Sequence, residues 1–289
     1  MLKLNQKKLS YTFDRCQQCG ICYAVCPENA ISLSLRHDGL HDIKINAALC
    51  IACGKCVRSC PANKEYGYEG YFDGFAQKKY YLGYHADNRI RRESSSGGVC
   101  KTLIIDSLKN GMVDGAYSLK CTDSFPFAQG EFYTREHIPS FGDMPNSVYH
   151  SVMACTEIDR IQPCKRLMLV GTACQLRALN SIIKDKCDEV VRVCIFCKQQ
   201  KTLDSTRFLA KMMGTSVPPN LKFRPRYRGD GWPGIVRVDG FELPYSRAAQ
   251  IPFGKRLWTV PGCGICGDSF GMEAVSYTHL RAHETLSDL

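Results

Sequence analysis

The sequence lacks long apolar runs and an apolar leader. A membrane-spanning helix needs about 18 to 20 consecutive apolar residues, whereas the most apolar stretches, 167–170 and 190–196, are short and are interrupted or ended by charge or glycine. The N-terminus, Met-Leu-Lys-Leu-Asn-Gln-Lys-Lys, is basic and polar where a secretory signal would carry its apolar segment. We therefore expect a cytoplasmic protein with no membrane span.

Signs of nucleic-acid binding are also missing. The net charge of +10 is compatible with nucleic acid, with an acidic protein partner or with a phosphate-bearing cofactor. The sequence has neither a helix-turn-helix pattern nor a basic stripe interleaved with aromatic residues, so we expect no nucleic-acid partner. With 44% apolar and 23% charged residues, the 289-residue chain has the composition of an ordinary globular protein.

Cysteine, in contrast, is abundant, at 18 residues. Disulfides are rare in a reducing compartment, so we interpret many of these thiols as metal ligands. Two runs share one spacing and are each followed by proline: Cys16-x2-Cys19-x2-Cys22-x3-Cys26-Pro27 and Cys50-x2-Cys53-x2-Cys56-x3-Cys60-Pro61. Zinc is the competing interpretation, but zinc sites use pairs of cysteines without a third one two residues on.

The doubled spacing is that of a two-cluster ferredoxin, in which the fourth cysteine of each run ligates the cluster of the other run. It predicts one 4Fe-4S cluster on Cys16, Cys19, Cys22 and Cys60, and a second on Cys50, Cys53, Cys56 and Cys26. Between the runs, residues 31–45 alternate apolar and polar side chains around Asp38-Gly39, which predicts a β-hairpin.

Beyond a Tyr- and Gly-rich linker at 66–75, strand and helix patterns alternate. Strands are predicted at 80–84, 113–119, 167–170 and 190–196, and helices at 99–109, 175–183 and 203–213. We therefore predict an α+β protein with a small two-cluster ferredoxin-like domain at residues 1–69 and a mixed α/β domain at residues 70–274.

Among the other ten cysteines, Cys100, Cys121, Cys155, Cys164 and Cys187 are isolated, and we interpret them as small buried apolar side chains. Cys174, Cys197 and the pair Cys263-Gly-Ile-Cys266 are candidates for a third 4Fe-4S cluster, with Cys194 as an alternative to Cys197.

Five segments, in order, resemble the signature segments of the coenzyme F420 hydrogenase/dehydrogenase beta-subunit family. They are Arg92-Glu-Ser-Ser-Ser-Gly-Gly98, Gly171-Thr-Ala-Cys-Gln175, Phe196-Cys197, residues 227–234 and Cys263-x2-Cys266-x-Asp268. The resemblance departs at Ala173, where the family usually has proline. It implies that residues 70–274 bind FAD and, on Cys174, Cys197, Cys263 and Cys266, a third 4Fe-4S cluster.

The serine- and glycine-rich segment 94–98 precedes a predicted helix. Its hydroxyls and free amides would suit the FAD diphosphate, with Arg91 and Arg92 adding positive charge. A serine N-cap followed by a glycine turn is the alternative. The predicted cofactor contacts are Ser94, Ser95, Ser96, Gly97, Gly98, Tyr149 and Ser151, the last two from a looser match at 146–151.

The cysteine spacing and the family resemblance together imply an iron-sulfur flavoprotein oxidoreductase. It would pass electrons between a one-electron carrier, such as a ferredoxin or another redox partner protein, and a small two-electron acceptor such as the deazaflavin F420. Flavin is required because clusters pass electrons singly. No catalytic side chain is identifiable. The alternative is a non-enzymatic, polyferredoxin-type subunit of a larger complex.

Residues 275–289 resemble a translated sequencing adapter. We expect this tail to be non-native and the flavin domain to be truncated near Ala274.

Overall fold

The structure, a computed structural model, describes residues 2–5, 8–11, 14–63, 79, 81–183, 185–214, 223–227, 234–238, 240–268 and 279–280. The linker at 66–75, most of the motif at 227–234 and most of the tail lie outside these residues.

The strands are β1 Leu2–Asn5, β2 Lys8–Tyr11, β3 Ile31–Leu35, β4 His41–Ile45, β5 Gly115–Cys121, β6 Ala128–Thr134, β7 Cys164–Thr172, β8 Cys187–Ile195, β9 Phe223–Tyr227, β10 Ile235–Val238, β11 Phe241–Pro244 and β12 His279–Leu280. The helices are α1 Ile21–Ala24, α2 Lys55–Ser59, α3 Asn88–Glu93, α4 Val99–Lys109, α5 Ala173–Ile183, α6 Leu203–Met212, α7 Tyr245–Gly254 and α8 Pro261–Gly264, with short 3-10 turns at Pro61–Asn63 and Ile158–Arg160.

The N-terminal unit is internally duplicated, as its cysteine runs are. A short helix, α1 or α2, begins within each run. Between them, β3 and β4 form an antiparallel hairpin that pairs Ile31 with Ile45 and Leu35 with His41. The hairpin predicted around Asp38-Gly39 is therefore confirmed.

The larger sheet has the strand order β12-β8-β7-β5-β6. β7 pairs in parallel with both β5 and β8, whereas β6 is antiparallel to β5. Side chains alternate along β7, so Met168 and Val170 pack under α4, while Leu167 and Leu169 pack with α5 on the other face. The mixed α/β architecture predicted from the sequence is confirmed.

The first predicted strand of this region is wrong. Residues 81–85 form no strand; Tyr81 and Leu82 are 85% and 75% exposed. The His85 amide donates a hydrogen bond to Gly97 O at 2.7 Å. The segment therefore lies against the loop 94–98 instead of joining a sheet.

A third sheet, of order β11-β10-β9, packs with α6 and α7 through Leu209, Ala210, Val236, Val238 and Ala248. In the tail, His279 and Leu280 pair in parallel with Cys194 and Ile195 of β8. None of the helices in the described part of the chain has the length and apolar character needed to cross a membrane.

Candidate iron-sulfur and cofactor sites

One cavity in the N-terminal unit, which we call the inner cavity, has Cys16, Cys19, Cys22 and Cys60 among its lining residues. Burial raises the pKa of the Cys22 thiol, and the nearby thiols of Cys19, Cys16 and Cys60 raise it further. The Gln18 amide donates a hydrogen bond to Cys16 Sγ at 3.4 Å. Four converging thiols with an amide directed at sulfur fit a 4Fe-4S cluster.

The lining of the second cavity, which we call the outer cavity, includes Cys26, Cys50, Cys53 and Cys56. Burial raises the pKa of Cys56 to about 11, and the thiols of Cys26, Cys53 and Cys50 add to the effect. The structure therefore groups the eight cysteines as the crossed pattern predicted, with the fourth cysteine of each run in the cavity of the other.

A third group of thiols forms where β7 and β8 end. Cys174 lies in the first turn of α5, Cys197 follows β8, and Cys263 and Cys266 lie in and after α8. Burial raises the pKa of Cys174, and the thiols of Cys263 and Cys197 raise it further. Burial likewise raises the pKa of Cys197 to about 12, with Cys263 and Cys266 contributing. The structure thus brings all four predicted ligands together.

Cys194 has different neighbours. Burial raises its pKa to about 12; the Asp268 carboxylate adds to this and Arg177 opposes it. Its side chain belongs to the apolar core that contains α5. The geometry therefore favours Cys197 over Cys194 as the ligand from this segment.

An ion pair that the sequence did not indicate joins two of the segments that carry this third group of thiols. Arg177 and Asp268 are joined by a short contact, with side chains 5% and 1% exposed. Arg177 lies three residues after Cys174 on α5, and Asp268 lies two residues after Cys266. The pair therefore ties the loop that carries two thiols to the helix that carries a third. Asp268 belonged to a recognised motif, but nothing in the sequence marked Arg177.

The third group lies directly against the inner cavity. The Gly262 amide donates to Cys16 O at 3.1 Å, and the Cys155 amide donates to Cys19 O at 2.8 Å. A Cβ atom on Gly262 would fall 2.4 Å from Arg15 O and 2.5 Å from Cys16 O. Only glycine allows this close approach of the two backbones.

A buried polar segment lies at the same junction between the N-terminal unit and the second domain. Ser151 donates its amide to Lys201 O at 2.9 Å and its hydroxyl to Gln18 O at 3.2 Å. Lys201 is fully buried, donates to Thr259 Oγ1 at 3.1 Å, and has its pKa lowered to about 8 by burial. Tyr149 O accepts from the Lys201 amide at 3.1 Å. Sequence reasoning missed Lys201, which no motif marked.

The predicted cofactor loop lies between α3 and α4. Ser94 is buried and donates to Ile90 O at 2.7 Å, while Ser95 Oγ accepts from the Ser147 amide at 2.7 Å. Gly98 is the N-cap residue of α4 and has no side chain with which to cap the first amides of that helix. A Cβ atom on Gly97 would lie only 2.9 Å from Gly83 O, because the segment at Gly83 packs closely against the loop. The glycine is therefore explained by internal packing.

The loop and the third thiol group share one edge of the sheet. Gly111, just after α4, accepts from the Arg166 guanidinium at 2.6 Å, which places the end of α4 near the start of β7. Because α4 packs along β7, its first residues lie near the carboxyl edge. Cys174 and Cys197 follow strands at that edge, which is where ligands bind in open α/β sheets.

Among the described residues, no three His, Cys, Asp or Glu side chains converge around a single metal ion. The eight thiols of the N-terminal unit instead line the inner and outer cavities, four in each.

Comparison with known families divides the chain into two parts. Residues 15–64 match a 4Fe-4S dicluster domain, and residues 42–96 match a second family of the same description. Residues 80–136 match the N-terminal domain of the coenzyme F420 hydrogenase/dehydrogenase beta subunit.

Individual relatives match very different shares of the chain. An uncharacterized protein of Methanocaldococcus jannaschii is 22% identical over 93% of this chain and 80% of its own length. The NADH-quinone oxidoreductase subunit I 2 of Geobacter metallireducens is 32% identical over 21% of this chain, which spans only half of that relative. A chain in the solved structure of the F420-reducing NiFe hydrogenase complex of Methanosarcina barkeri is 17% identical to this chain. The match has a TM-score of 0.44 and covers 68% of this chain and 70% of that one.

These matches confirm the resemblance drawn from the sequence motifs: residues 15–64 are similar to 4Fe-4S dicluster domains, and residues 80–136 are similar to the N-terminal domain of the coenzyme F420 hydrogenase/dehydrogenase beta subunit.

Proposed function

We propose that the protein is an iron-sulfur flavoprotein oxidoreductase that passes electrons between a one-electron carrier and a two-electron acceptor. The observation that carries the proposal is the contact of the third thiol group with the inner cavity through Gly262 and Cys16. Three groups of four cysteines thereby form a series, and the series ends at the sheet edge near which α4 begins. The family description supports coenzyme F420 as a candidate acceptor.

In this proposal, twelve cysteines hold three 4Fe-4S clusters. The inner cluster takes Cys16, Cys19, Cys22 and Cys60, the outer cluster takes Cys26, Cys50, Cys53 and Cys56, and the third takes Cys174, Cys197, Cys263 and Cys266. Burial and mutual repulsion raise the pKa values of Cys22, Cys56 and Cys174. A metal cluster supports such a grouping because coordination holds the sulfurs as thiolates and compensates their charge.

We further propose that the second domain, residues 70–274, holds FAD. When bound, the flavin would couple single-electron transfer to two-electron chemistry. Ser95, Ser96 and the first amides of α4, after Gly97 and Gly98, would hold the diphosphate. Ser94 and Ser151 have hydroxyls that already donate to Ile90 and Gln18, so they would support the site by fixing its backbone. Tyr149, whose ring lies 5.7 Å from that of Tyr245, would contribute an aromatic wall.

The metal content can be measured on anaerobically purified protein by iron and sulfide analysis. We expect twelve iron atoms per chain for three clusters, and a loss of about four in Cys263→Ser. Cys194→Ser is the matched control, because its thiol lies among Arg177, Asp268 and the core. Unchanged iron in Cys263→Ser, or zinc in the N-terminal unit, would contradict the cluster assignment.

Flavin content separates the two function classes. We expect a chain with its native C-terminal continuation to release FAD on denaturation, and Ser96→Ala to bind FAD about tenfold more weakly. Exposed Ser140→Ala is the control. A chain that holds three clusters and takes up no FAD would be a polyferredoxin-type electron-transfer subunit.

The domain limits are part of the proposal: residues 1–69 for the dicluster domain, 70–274 for the flavin domain, and 275–289 as a non-native tail. Deleting 275–289 should leave the iron content unchanged, and a loss of iron would contradict the tail assignment.

A further inference from the structure

We propose that the exposed surface over the outer cavity docks an acidic one-electron carrier protein. The surface, which we call the outer face, consists of Leu49, Ile51, Cys53, Lys55 and Arg58. The inference rests on the proposed function, because the carrier is the one-electron partner of that reaction.

The two cavities of the N-terminal unit differ sharply in exposure. Around the inner cavity, Cys19 and Cys22 are 8% and 5% exposed. The second domain covers this side through hydrogen bonds to the carbonyls of Cys16 and Cys19. Cys16, Cys19 and Cys22 are therefore buried, and Cys60 is the one inner thiol that is partly exposed.

The outer cavity opens to the surface. Cys53 is exposed, and its neighbours Ile51 and Leu49 are 62% and 49% exposed. Ile51 and Cys53 both line the cavity itself. An apolar patch therefore lies directly over one of the candidate cluster ligands, where a partner would come nearest to the redox centre.

Basic side chains surround this apolar patch. Between residues 44 and 58 the charged residues are Lys44, Lys55 and Arg58, with no acidic residue among them. All three are exposed, and Arg58 donates to Cys53 O at 3.1 Å. Glu28 also lines the cavity and is the one carboxylate among its lining residues, so the basic side chains outnumber it. An apolar centre with a polar rim is the usual anatomy of a protein interface.

The sign of the rim selects the partner. A negatively charged carrier would be attracted to Lys44, Lys55 and Arg58 and would associate faster at low salt. A second copy of this chain would instead place the same basic rim against itself, which is unfavourable. The small patch suits a transient encounter, since electron-transfer interfaces are among the smallest specific ones.

The test compares two pairs of variants in the full-length holoprotein. Ile51→Ser is matched by Met112→Ser, because Ile51 and Met112 are 62% and 59% exposed. Lys55→Gln is matched by Lys109→Gln, both lysines being exposed and Lys109 lying at the end of α4. The probe is an acidic two-cluster ferredoxin, reduced and mixed by stopped flow, with dithionite as a small reductant for reference. Direct binding of the oxidised ferredoxin is measured on the same proteins.

We expect Ile51→Ser to lower the ratio of the ferredoxin rate to the dithionite rate about fivefold, with a similar loss in direct binding. Lys55→Gln should flatten the dependence of the ferredoxin rate on ionic strength. Both control variants should behave as wild type. If Ile51→Ser lowers the iron content, Leu49→Ser replaces it in the same comparison.

Equal effects in the test and control variants would overturn the inference, as would an unchanged ratio in Ile51→Ser. A change in self-association of Ile51→Ser, seen by sedimentation, would assign the outer face to contact between copies and would also overturn it. Flavin content enters none of these measurements. A chain without FAD would therefore refute the proposed enzyme activity, whereas the docking proposal would still be decided by the rate and binding measurements.

Discussion

Arg177 and Asp268 form an ion pair buried between α5 and the loop that follows α8, with both side chains at most 5% exposed. The pair joins the backbone segments that carry Cys174 and Cys266. Removing one partner from a buried pair leaves the other charge uncompensated in a poorly solvated place.

We therefore expect Arg177→Met to lower the stability of the protein by about 3 to 5 kcal/mol, and to reduce the iron content by up to one cluster. Thermal unfolding and iron analysis would measure the two effects. Glu242→Gln is the control, because its pair with Arg237 is 37% to 39% exposed and should contribute less than about 1 kcal/mol. Comparable losses in both variants would show that Arg177 has no special role.

Gly262 offers a test of the contact between the domains. In Gly262→Ala the new methyl group would meet Arg15 O and Cys16 O at 2.4 and 2.5 Å, so α8 must move away from the inner cavity. We expect a stability loss of about 1 to 3 kcal/mol, and weaker magnetic interaction between the adjacent clusters in the reduced protein, measured by electron paramagnetic resonance. Gly264→Ala places its methyl group in open space and should change neither property.

Gly97 is expected to matter for packing whether or not flavin is bound. A methyl group there would lie 2.9 Å from Gly83 O and 3.2 Å from Tyr84 Cα. Gly97→Ala should therefore lower the unfolding midpoint of the flavin-free protein, by an amount equivalent to about 1 to 3 kcal/mol. Gly142→Ala meets only Ser140 Oγ at 3.7 Å and serves as control. If the unfolding midpoint fell only in the flavin-loaded protein, Gly97 would instead contact the cofactor directly.

His150 gives the stability a defined pH dependence. The ring is fully buried; its Nε2 donates to Pro126 O at 2.8 Å, so Nδ1 accepts from the Thr206 hydroxyl at 2.7 Å and the ring is neutral. Burial lowers its pKa to about 4. Between pH 6.5 and 4 the unfolded chain therefore binds a proton that the folded chain does not, and stability falls as the pH falls.

At pH 5.5 this loss should amount to about 1 kcal/mol relative to pH 7.5. His150→Gln should show a correspondingly smaller decrease in unfolding midpoint over the same interval, measured anaerobically. His137→Gln, at an exposed histidine, should decrease as wild type does. An identical pH dependence in His150→Gln and wild type would mean that the ring is protonated in the folded state.

Local patterns predicted much of this structure because their physical causes are local. The helix at 99–109 was predicted with the bounds of α4, since its apolar spacing and the Asn110-Gly111 stop lie within a few residues of each other. The cysteine spacings likewise grouped the eight thiols of the N-terminal unit as the two cavities do, whereas the third set came from the family resemblance, since spacing alone left Cys194 and Cys197 as alternatives. Lys201 and Arg177 could not be found in this way, because their partners, Thr259 and Asp268, are 58 and 91 residues away. The strand predicted at 80–84 is wrong because this apolar run packs against the loop 94–98 and not against another strand.

The core of the larger sheet includes residues from the first cysteine run. Cys19 and Ile21 belong to the same buried cluster as Leu169 of β7 and Leu176 of α5. A domain boundary at residue 69 therefore separates two stretches of sequence that share one hydrophobic core. If Cys19 ligates a cluster as we propose, cluster assembly is linked to the folding of residues far along the chain, since metal binding and folding share one free energy. Iron starvation during synthesis would then weaken the sheet domain as well as the ferredoxin-like part.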